Sequence, residues 1–571
     1  MRQGWRWVGL AWLALGQAWG EELGAVATGH PLATRAAVEV LQSGGNAIDA
    51  AVAAALTLGV VDGHNSGIGG GCFVVAHLAG GRLVALDGRE TAPAGATREM
   101  FVRGGEVMPE ASLTGALAVG VPGQLAALEA LSRRHGRWPM ARGLERAAAL
   151  AEAGFEVTPA YAARLRGEAE ALGRFPESAA IFLRADGSPW EAGETLRQPD
   201  LAATYRAIAA RGTRWFYRGP FAERTEAWMR ENGGVMTRRD LRRYRVRWRE
   251  PVITTYRGWT VVGFPPPSSG GVHVGQILRI LEGFEVGGWG AGSADLAHVL
   301  GEAMKRAFAD RAHWLGDPDF VRVPRGLVDE GYGAELSGGI RMDRAMPVEG
   351  HGQPAGGEGD AFGRRHTTHL SVADAAGNWV ALTATINTSF GSKGVVPGTG
   401  VLLNNQMDDF SVRPGATNFF GLVGAEANAI APRKRPLSSM SPTLLLRDGA
   451  PVLAVGAAGG PTIISQTVRA VVAVVDFGAT TEEALAAARV HHQWRPDVLV
   501  MESGWEEAAE GDLEARGHRV RTVPSLGAAQ AVGRRDGRWE AVADPRGEGL
   551  GAVATGFQTG SKARSRPGGR G

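Results

Sequence analysis

The chain has 571 residues, of which 44% are hydrophobic and 21% are charged. This composition is typical of a globular protein with a large buried core, and it argues against global disorder. The 61 basic and 59 acidic residues leave a formal net charge of +2. Such a near balance gives the protein no strong electrostatic reason to bind nucleic acid.

The first twenty residues have the pattern of a secretory signal. Arg2 and Arg6 precede an apolar run at 7–15, and small residues at 18 and 20 suit a signal peptidase. The run is too short to span about 30 Å of hydrocarbon comfortably. We therefore expect residues 1–20 to be removed and the protein to be periplasmic or extracellular, without stable membrane insertion. A membrane anchor is the alternative.

Cys72 is the only cysteine in the chain. An intrachain disulfide and a cysteine-rich metal site are therefore both excluded. Because Cys72 lies in an apolar stretch, we expect it to be a small buried side chain.

Apolar periodicity predicts a mixture of helices and strands in the first part of the chain. Helices are expected at 33–42 and 47–58, and the second is apolar on all faces, as buried helices are. Strands are expected at 72–77 and 83–87. A further helix at 302–314 ends at a Gly-Asp-Pro sequence. This mixture indicates a layered α/β sandwich and not a TIM barrel.

The pattern changes at 346–364, where the sequence is rich in Gly, Pro and acidic residues and predicts a mobile loop or linker. Strands are expected beyond it at 369–374 and 379–386. Ala-Ala-Gly-Asn between them indicates a hairpin. A strand at 453–456 runs through Ala-Ala-Gly-Gly into a predicted helix at 462–475.

The junction between linker and hairpin reads Arg-His-Thr-Thr-His, with Thr367 as its first threonine. A threonine hydroxyl in mid-chain is a poor nucleophile. If the preceding bond is cut, the new α-amine has a pKa of about 8 and can act as the base for the hydroxyl of the same residue. Cleavage would therefore create a catalytic unit. From the dipeptide alone, ordinary strand-forming threonines are the alternative.

A series of short motifs elsewhere in the chain favours the catalytic interpretation of this junction. They are, in chain order, Gly44-Gly-Asn-Ala-Ile-Asp-Ala-Ala, Asp87-Gly-Arg-Glu, Pro265-Pro-Pro-Ser-Ser-Gly-Gly, Ala309-Asp-Arg, Leu315-Gly-Asp-Pro-Asp-Phe, Thr367-Thr-His, Thr385-Ile-Asn, Leu403-Asn-Asn-Gln-Met-Asp-Asp-Phe and Arg435-Pro-Leu-Ser-Ser-Met-Ser-Pro. Each motif is weak alone. Together, over nearly the whole chain after the signal, they closely resemble the γ-glutamyltranspeptidases. That family belongs to the N-terminal nucleophile hydrolases, so the resemblance implies a four-layer αββα sandwich.

The resemblance also implies self-cleavage between His366 and Thr367. The products would be a large subunit of residues 21–366 and a small subunit of residues 367–571. They are expected to remain together as a heterodimer, because both contribute to one αββα core. His366 precedes the cut and is not expected to be a catalyst.

Roles for the reacting groups follow from the resemblance by position. Thr367 corresponds to the nucleophile, and Thr385 to the threonine that orients it by a hydrogen bond. The backbone N–H groups of Gly459 and Gly460 correspond to the oxyanion site, which suits a Gly-Gly pair between a strand and a helix. Taken alone, Thr385 is also consistent with a strand-forming residue, and the glycines with a tight turn.

A γ-glutamyl group carries an α-carboxylate and an α-ammonium, so its site needs a cation and an anion held apart. The resemblance implies Arg89, Ser438 and Ser439 for the carboxylate, and Asp409, Asn387 and Gln406 for the ammonium. A guanidinium suits a carboxylate because it can donate two parallel hydrogen bonds. Without the resemblance, Arg89 is also consistent with a surface ion pair and Ser438-Ser439 with a helix cap. The segment 404–409 is also consistent with a polar turn or a calcium loop, but its spacing does not follow the EF-hand pattern.

Residues 414–430 resemble the lid that covers the site in many bacterial members of the family. Phe420 stands where several of these relatives carry a tyrosine. Phenylalanine keeps the aromatic cover but has no hydroxyl, so a lid hydrogen bond through that group is not expected.

The implied activity is a two-step acyl transfer. Thr367 would attack the γ-carbonyl of glutathione, glutamine or a similar amide and form a γ-glutamyl ester. Water would then hydrolyse the ester, or an amino acid or peptide would accept the group. No metal and no organic cofactor are expected.

Three other functions are alternatives. An acylase of the same fold would act on an amide such as a glutaryl β-lactam side chain, but this substrate has no ammonium to pair with Asp409. A secreted binding protein could cleave itself without turning over a substrate, although the combined set of site residues disfavours this. A Ser-His-Asp hydrolase is weaker still, because the sequence has no Gly-x-Ser-x-Gly elbow.

Overall fold

The computed structural model describes residues 21–355 and 369–556. Its helices are α1 (Pro31–Gln42), α2 (Ala47–Val61), α3 (Pro109–Leu113), α4 (Gln124–His135), α5 (Ala141–Ala153), α6 (Pro159–Gly173), α7 (Pro176–Phe182), α8 (Pro199–Arg211), α9 (Arg214–Arg218), α10 (Pro220–Glu231), α11 (Arg238–Arg243), α12 (Gly270–Leu281), α13 (Ala294–Trp314), α14 (Glu330–Gly338), α15 (Thr462–Phe477), α16 (Thr481–Ala486) and α17 (Ala509–Ala515). Its strands are β1 (Glu22–Thr28), β2 (Gly71–His77), β3 (Leu83–Gly88), β4 (Val102–Arg103), β5 (Glu106–Val107), β6 (Phe155–Glu156), β7 (Thr195–Leu196), β8 (Arg247–Arg249), β9 (Val252–Tyr256), β10 (Trp259–Gly263), β11 (His369–Asp374), β12 (Trp379–Thr385), β13 (Thr443–Arg447), β14 (Ala450–Ala458), β15 (Val490–His491), β16 (Leu499–Glu502), β17 (Val520–Val523), β18 (Ala528–Arg535), β19 (Arg538–Ala543) and β20 (Leu550–Thr555).

Two antiparallel sheets form the centre of the described part. The first has the strand order β20-β1-β11-β12-β2-β3-β8, and the second has the order β19-β18-β14-β13-β10-β9. The predicted hairpin is confirmed as β11 and β12, at the middle of the first sheet, with His369 opposite Thr383 and Ala373 opposite Trp379. Its turn contains Gly377 with φ of +94°, a backbone conformation that glycine adopts readily.

The two sheets pack face to face, with helices on both outer surfaces. Side chains buried between the sheets include Ala25, Phe73, Val75, Val262, Phe264, Ala373, Trp379, Ala381, Leu444, Ala454 and Val532. A second apolar cluster joins the first sheet to α1 and α2, and a third joins the second sheet to α12, α13 and α15. This is the four-layer αββα arrangement that the resemblance implied, and neighbouring solved structures of the same fold are described below.

Helix α2 fixes the end of the central hairpin. Its fifteen residues are all buried, as the uniformly apolar sequence predicted. At its start, Asn46 Oδ1 accepts from the Asp49 N–H at 3.0 Å, and Asp49 Oδ2 accepts from the Asn46 N–H at 3.0 Å. The Ala47 N–H then donates to Asp374 Oδ2 in the hairpin turn at 2.8 Å. A carboxylate at a helix N-terminus is electrostatically favourable, so the turn is held by the helix.

Most predicted elements are present, and the largest differences in their bounds are at α13 and β14. Helix α13 begins at Ala294, eight residues before the predicted start, and its Ser293 side chain accepts from the Leu296 N–H as an N-cap. The missed turns contain the buried His298, whose Nδ1 lies 2.7 Å from His518 Nε2, and this polar residue concealed the apolar pattern. Strand β14 spans nine residues, whereas the sequence indicated only 453–456.

Residues 124–243 add a further helical layer on the outside of α2. Helix α5 packs against both α2 and α8, and α4 packs against β2 and β3. In the described ranges, no helix is both long and apolar enough to cross a membrane. Residues 346–355 of the predicted linker contain no helix or strand. The predicted signal at 1–20 and the rest of the predicted linker lie outside the described residues.

Replacing Phe73 tests the contact between the two sheets. Its ring stacks on Phe264 with centroids 4.0 Å apart, and it is fully buried. Phe73→Ala should destabilise the protein by about 3–5 kcal/mol, because it removes apolar burial and leaves a cavity. Thermal unfolding of Phe73→Ala and of Ile253→Ala, whose residue is 56% exposed, would check this. Equal melting temperatures for the two variants would contradict the assigned packing.

Candidate active site

The end of strand β12 forms the floor of the candidate site. Thr385 pairs with Gly71 at the start of β2 and is buried. Its Oγ1 accepts a hydrogen bond from the Asn387 N–H at 2.8 Å. Asn387 has φ of +80°, a conformation that asparagine tolerates better than most residues. The chain therefore turns sharply after Thr385 and leaves its hydroxyl at the end of the sandwich.

Close backbone approach beside Thr385 requires glycine. A Cβ on Gly70 would lie 1.9 Å from the carbonyl oxygen of Thr385, and a Cβ on Gly69 would lie 2.0 Å from that of Leu402. Side chains at these positions would push β2 away from β12. The Gly69-Gly70-Gly71 sequence thus brings the two strands together under the site.

Gly459 and Gly460 lie between β14 and α15, as the sequence predicted. Their φ angles are +136° and +60°. The Thr462 side chain donates to the Gly459 carbonyl at 2.9 Å and holds the turn. Neither glycine N–H has an acceptor among the described residues. Two N–H groups at the start of a helix can stabilise negative charge on a reacting oxygen.

His369 begins β11 and lies against the second sheet. Ser371 Oγ donates to the Ala454 carbonyl at 3.0 Å, so it accepts from His369 Nε2 at 2.8 Å, and His369 Nδ1 accepts from Thr383 Oγ1 at 3.1 Å. Burial lowers the pKa of His369 to about 3, which keeps the ring neutral. A Cβ on Gly456 would lie 2.4 Å from this ring. The strand that follows the predicted junction is therefore tightly fixed.

Arg89 and Asp409 form a buried ion pair. Their side chains are 0% and 1% exposed, and Arg89 Nη2 lies 2.6 Å from Asp409 Oδ2. Gln406 Nε2 donates to the same oxygen at 2.6 Å, and Arg89 Nη1 lies 3.2 Å from Glu90 Oε2. The sequence analysis expected a cation and an anion held apart. In this structure the two groups contact each other, because each is the other's nearby countercharge in a buried environment.

The predicted serine pair is buried behind this ion pair. The Ser269 N–H donates to the Ser438 carbonyl at 2.7 Å, which ties the loop before α12 to the segment before β13. Arg311 Nη2 donates to Ser439 Oγ at 3.4 Å, and its Nε donates to Ser269 Oγ at 3.1 Å. Burial lowers the pKa of Arg311 to about 10, although the nearby Asp409 charge opposes this shift.

Arg311 and Ser269 are site residues that the sequence analysis missed. Both lie in motifs that the resemblance included, Ala309-Asp-Arg and Pro265-Pro-Pro-Ser-Ser, but neither received a role. Little in the sequence signalled this role, because Arg311 lies between Asp310 and His313 in a helix that carries many polar residues. An arginine is rarely buried without a partner.

The segment 414–430 lies over the site as the lid. Asn418 Nδ2 donates to Asp409 Oδ1 at 3.4 Å, and the Phe419 N–H donates to Asp408 Oδ2 at 3.0 Å. Gln493 Nε2 donates to the Phe420 carbonyl at 3.3 Å. A Cβ on Gly460 would lie 2.7 Å from the Phe420 ring, so the ring covers the Gly459-Gly460 turn. The aromatic cover is present without a hydroxyl.

Two cavities meet at the lid. One of about 690 Å³ is lined by Thr385, Asn387, Gly459 and Gly460, together with Phe420. The other, of about 220 Å³, is lined by Asp409, Arg311 and Asn418. Phe419 lines both. The predicted orienting and oxyanion groups therefore share one cavity, and the ammonium-binding group lies in the adjoining one.

His366 and Thr367 lie outside the described residues. The other predicted site residues lie in the walls of the two cavities or directly behind them. They are Arg89, Thr385, Asn387, Gln406, Asp409, Ser438, Ser439, Gly459 and Gly460. In the ranges that the structure covers, no group of three His, Cys, Asp or Glu side chains could hold a metal ion.

Comparison with known proteins identifies the family. The family model for gamma-glutamyltranspeptidase matches residues 33–554. The chain belongs to the γ-glutamyltranspeptidase family. It is 42% identical over 528 residues to the glutathione hydrolase proenzyme of Escherichia coli strain K12, covering 92% of this chain and 90% of that protein. Membership makes the chain an enzyme of the N-terminal nucleophile hydrolase class.

Acylases are also similar to this member of the γ-glutamyltranspeptidase family. The acylase ACY 1 proenzyme of Pseudomonas sp. strain SE83 is 40% identical, with 88% of each chain covered. The crystal structure of cephalosporin acylase from Bacillus halodurans superposes with a TM-score of 0.84 at 29% identity, covering 98% of this chain and 99% of that one. The αββα fold is thereby confirmed, whereas substrate choice must come from the site.

The lid contact of Asp408 predicts a pH-dependent stability. Burial, and secondarily the charge of Asp409, raises the pKa of Asp408 to about 6 from an ordinary 3.8. The folded state then holds this proton more tightly than the unfolded chain, so the contribution of Asp408 is favourable at low pH and is lost as pH rises through about 6.

Asp408→Asn should remove this loss of folding stability at higher pH, because asparagine does not titrate. The asparagine oxygen can still accept from the Phe419 N–H, and its Nδ2 can donate to Ser112 Oγ while Ser112 donates to the Pro109 carbonyl. The variant should gain about 2 °C in melting temperature over wild type between pH 4.5 and pH 7. Thermal unfolding across this range would measure the difference, with the exposed Asp200→Asn as control. Parallel profiles for wild type and Asp408→Asn would show that Asp408 is not buried as described.

Proposed function

We propose that this protein is a self-cleaving γ-glutamyltransferase and glutathione hydrolase whose nucleophile is Thr367. The observation that carries the proposal is the buried Arg89–Asp409 pair beside the cavity of Thr385 and the Gly459-Gly460 turn. A substrate with a carboxylate and an ammonium on one carbon, and an amide a few bonds away, matches both halves of this arrangement.

The register of the central hairpin supports the choice of Thr367. His369 is opposite Thr383, so continuing β11 backward by two residues would bring Thr367 opposite Thr385. Odd-numbered residues of both strands, such as Ala373 and Ala381, face the second sheet. With the alternation of a β-strand, the Thr367 hydroxyl would face the same side. That side ends at the Gly459-Gly460 turn.

Self-cleavage would precede catalysis. The Thr367 hydroxyl attacks the His366 carbonyl, the C–N bond breaks, and water hydrolyses the resulting ester. The products are the subunits 21–366 and 367–571. The first sheet contains β1, β2, β3 and β8 from before this cut and β11, β12 and β20 from after it. A heterodimer that stays together is the expected result.

Turnover would then use the new α-amine of Thr367 as the base. The hydroxyl gives its proton to this amine and attacks the γ-carbonyl, while Gly459 and Gly460 donate to the oxyanion. The proton passes to the leaving amine as the C–N bond breaks, and a γ-glutamyl ester remains on Thr367. Water completes hydrolysis, and an amino acid or peptide amine completes transfer.

Substrate binding would replace the contact between Arg89 and Asp409. The α-carboxylate would bind Arg89, with Ser438, Ser439 and Arg311 nearby, and the α-ammonium would bind Asp409, with Gln406, Asn387 and Asn418 nearby. Each buried charge keeps a countercharge in this exchange. Binding of only one end would leave the other buried charge without a partner, which is strongly unfavourable.

Glutathione is the proposed donor because the Escherichia coli relative is named a glutathione hydrolase and the site suits its γ-glutamyl end. Glutamine carries the same end and is proposed as a second donor. Secretion through the signal at 1–20 would place the enzyme in the periplasm or outside the cell. No cofactor enters the proposed steps.

Mass measurement of Thr367→Ala tests the self-cleavage on which this function depends. Wild-type protein, expressed without residues 1–20, should become two chains that break between His366 and Thr367. The alanine variant has no hydroxyl and should remain one chain. Thr368→Ala, at the adjacent threonine, serves as the control and should still be cut. A folded wild-type chain that stays whole would refute the proposed nucleophile.

An α-amino group on the substrate separates a γ-glutamyl enzyme from a glutaryl acylase. Wild type should hydrolyse γ-glutamyl 4-nitroanilide with kcat/KM about 100-fold above that for glutaryl 4-nitroanilide, because only the former pairs with Asp409. Asp409→Asn should reduce this preference to about tenfold or less by removing the anion. Asp200→Asn, which changes an exposed residue, should keep the wild-type preference for the γ-glutamyl substrate.

The opposite preference in wild type would identify the acylase as the correct function. Completed self-cleavage of Asp409→Asn, read by mass, would establish that the variant is folded.

A further inference from the structure

The α-carboxylate and the α-ammonium of a γ-glutamyl group are attached to one carbon atom. The groups that bind them must therefore be held at one separation, since a misplacement of about 1 Å can cost up to about 100-fold in rate. In the proposed site the ammonium-binding Asp409 lies after β12, whereas the carboxylate-binding Ser438 and Ser439 lie just before β13. The contacts that hold these two segments together are consequently determinants of substrate choice.

The side chain of Asn428 bridges the two segments directly. Its Nδ2 donates to the Asp409 carbonyl at 2.7 Å, and its Oδ1 accepts from the Leu437 N–H at 2.9 Å. Leu437 immediately precedes Ser438 in the chain. One amide group therefore connects the residue that would bind the ammonium to the residue next to the serines that would bind the carboxylate.

Asparagine suits this position because one end of its amide donates and the other accepts. The Asp409 carbonyl needs a donor and the Leu437 N–H needs an acceptor, so an ionised carboxylate or an ammonium could satisfy only one of them. A neutral amide also adds no charge beside the buried Arg89–Asp409 pair. Asn428 is 5% exposed, so water is poorly placed to replace its two hydrogen bonds.

The backbone around Asn428 is attached to the Asp409 side of the bridge. The Ser411 N–H donates to the Asn428 carbonyl at 2.9 Å, and Ser411 and Ala429 form a short parallel β-bridge. Ser411 precedes the lid, and Asn428 lies near the end of the lid. Asn428 therefore lies at the base of the lid, where it can hold the spacing of the two segments independently of the lid tip.

Asn428 also lines the 220 Å³ cavity, together with Asp409 and Arg311. Because its amide nitrogen and oxygen both bond to backbone groups, its role is to place other residues and not to bind the substrate itself. A residue that acts in this way affects only those substrates that use both segments at once.

We propose that Asn428 is a positioning residue that sets the separation between Asp409 and the Ser438-Ser439 pair, and thereby selects donors that carry both an α-carboxylate and an α-ammonium. This inference rests on the proposed function, because it deepens the assignment of the same γ-glutamyl site. Donors with one charged end, such as glutaryl amides, would bind to one segment and would not depend on the bridge.

Asn428→Leu, which keeps a similar side-chain volume but removes both hydrogen bonds, tests the proposal. With γ-glutamyl 4-nitroanilide, kcat/KM should fall about tenfold. Most of this loss should be a rise in KM, since Asn428 does not line the cavity of Thr385 and the Gly459-Gly460 turn. With glutaryl 4-nitroanilide, kcat/KM should change less than twofold. Asn428→Ala, which is too small to clash with its surroundings, should shift the ratio of the two donors in the same direction.

A double-variant cycle separates positioning from a general loss of stability. If Asn428 acts through Asp409, Asn428→Leu/Asp409→Asn should show the same ratio of the two donors as Asp409→Asn alone. Asn46→Ala is the matched control, because it removes the N-cap of α2 outside both cavities and lowers stability there. It should keep the wild-type ratio. Completed self-cleavage, read by mass, would establish that each variant is folded.

An unchanged ratio of the two donors in Asn428→Leu and Asn428→Ala would overturn the positioning role while leaving the proposed function intact. Additive effects of the two substitutions in the double variant would do the same. A wild-type enzyme that is cut but prefers the glutaryl donor would overturn both the positioning role and the proposed function.

Discussion

The antiparallel pairing of β11 with β12 is the constraint on which the site depends. This ladder sets which residue of β11 lies opposite each residue of β12, and the alternation of side chains sets which face each one occupies. A slip of one residue would turn side chains such as Ala373 from the second sheet to the face that packs on α2. Asp374, held by the N-terminus of α2, fixes the far end of the same hairpin. The register of the β11–β12 hairpin is therefore also fixed at its turn, at the opposite end from Thr385.

Charge burial is the second organising feature. Arg89 directly follows β3, Asp409 lies in the segment after β12, and Arg311 lies in α13; all three are removed from water. Ions in such positions are stable only when they are paired. The lid contributes to the same network through Asn418, so its position is coupled to the charge state around Asp409. In the proposed function, recognition of a zwitterionic substrate and the position of the lid would therefore depend on the same groups.

Local patterns were sufficient to predict the strands that carry the site. The Ala-Ala-Gly-Asn turn and the β-rich segments around it predicted β11 without error, because hairpin signals are short-range. Motif resemblance supplied the site residues. It did not predict that Arg89 contacts Asp409, 320 positions away, or that Arg311 reaches Ser439. Such contacts depend on tertiary packing, which also buries His298 in the missed first turns of α13.

Both sheets combine strands from before and after the proposed cut. In the second sheet, β9 and β10 come from before it, and β13, β14, β18 and β19 come from after it. Cutting the connecting segment would leave every pair of hydrogen-bonded strands in place, but neither product would contain all the strands of either sheet. Folding of the continuous chain would be a unimolecular process. Once unfolded, the mature protein would need two separate chains to meet again, so its recovery would fall with dilution.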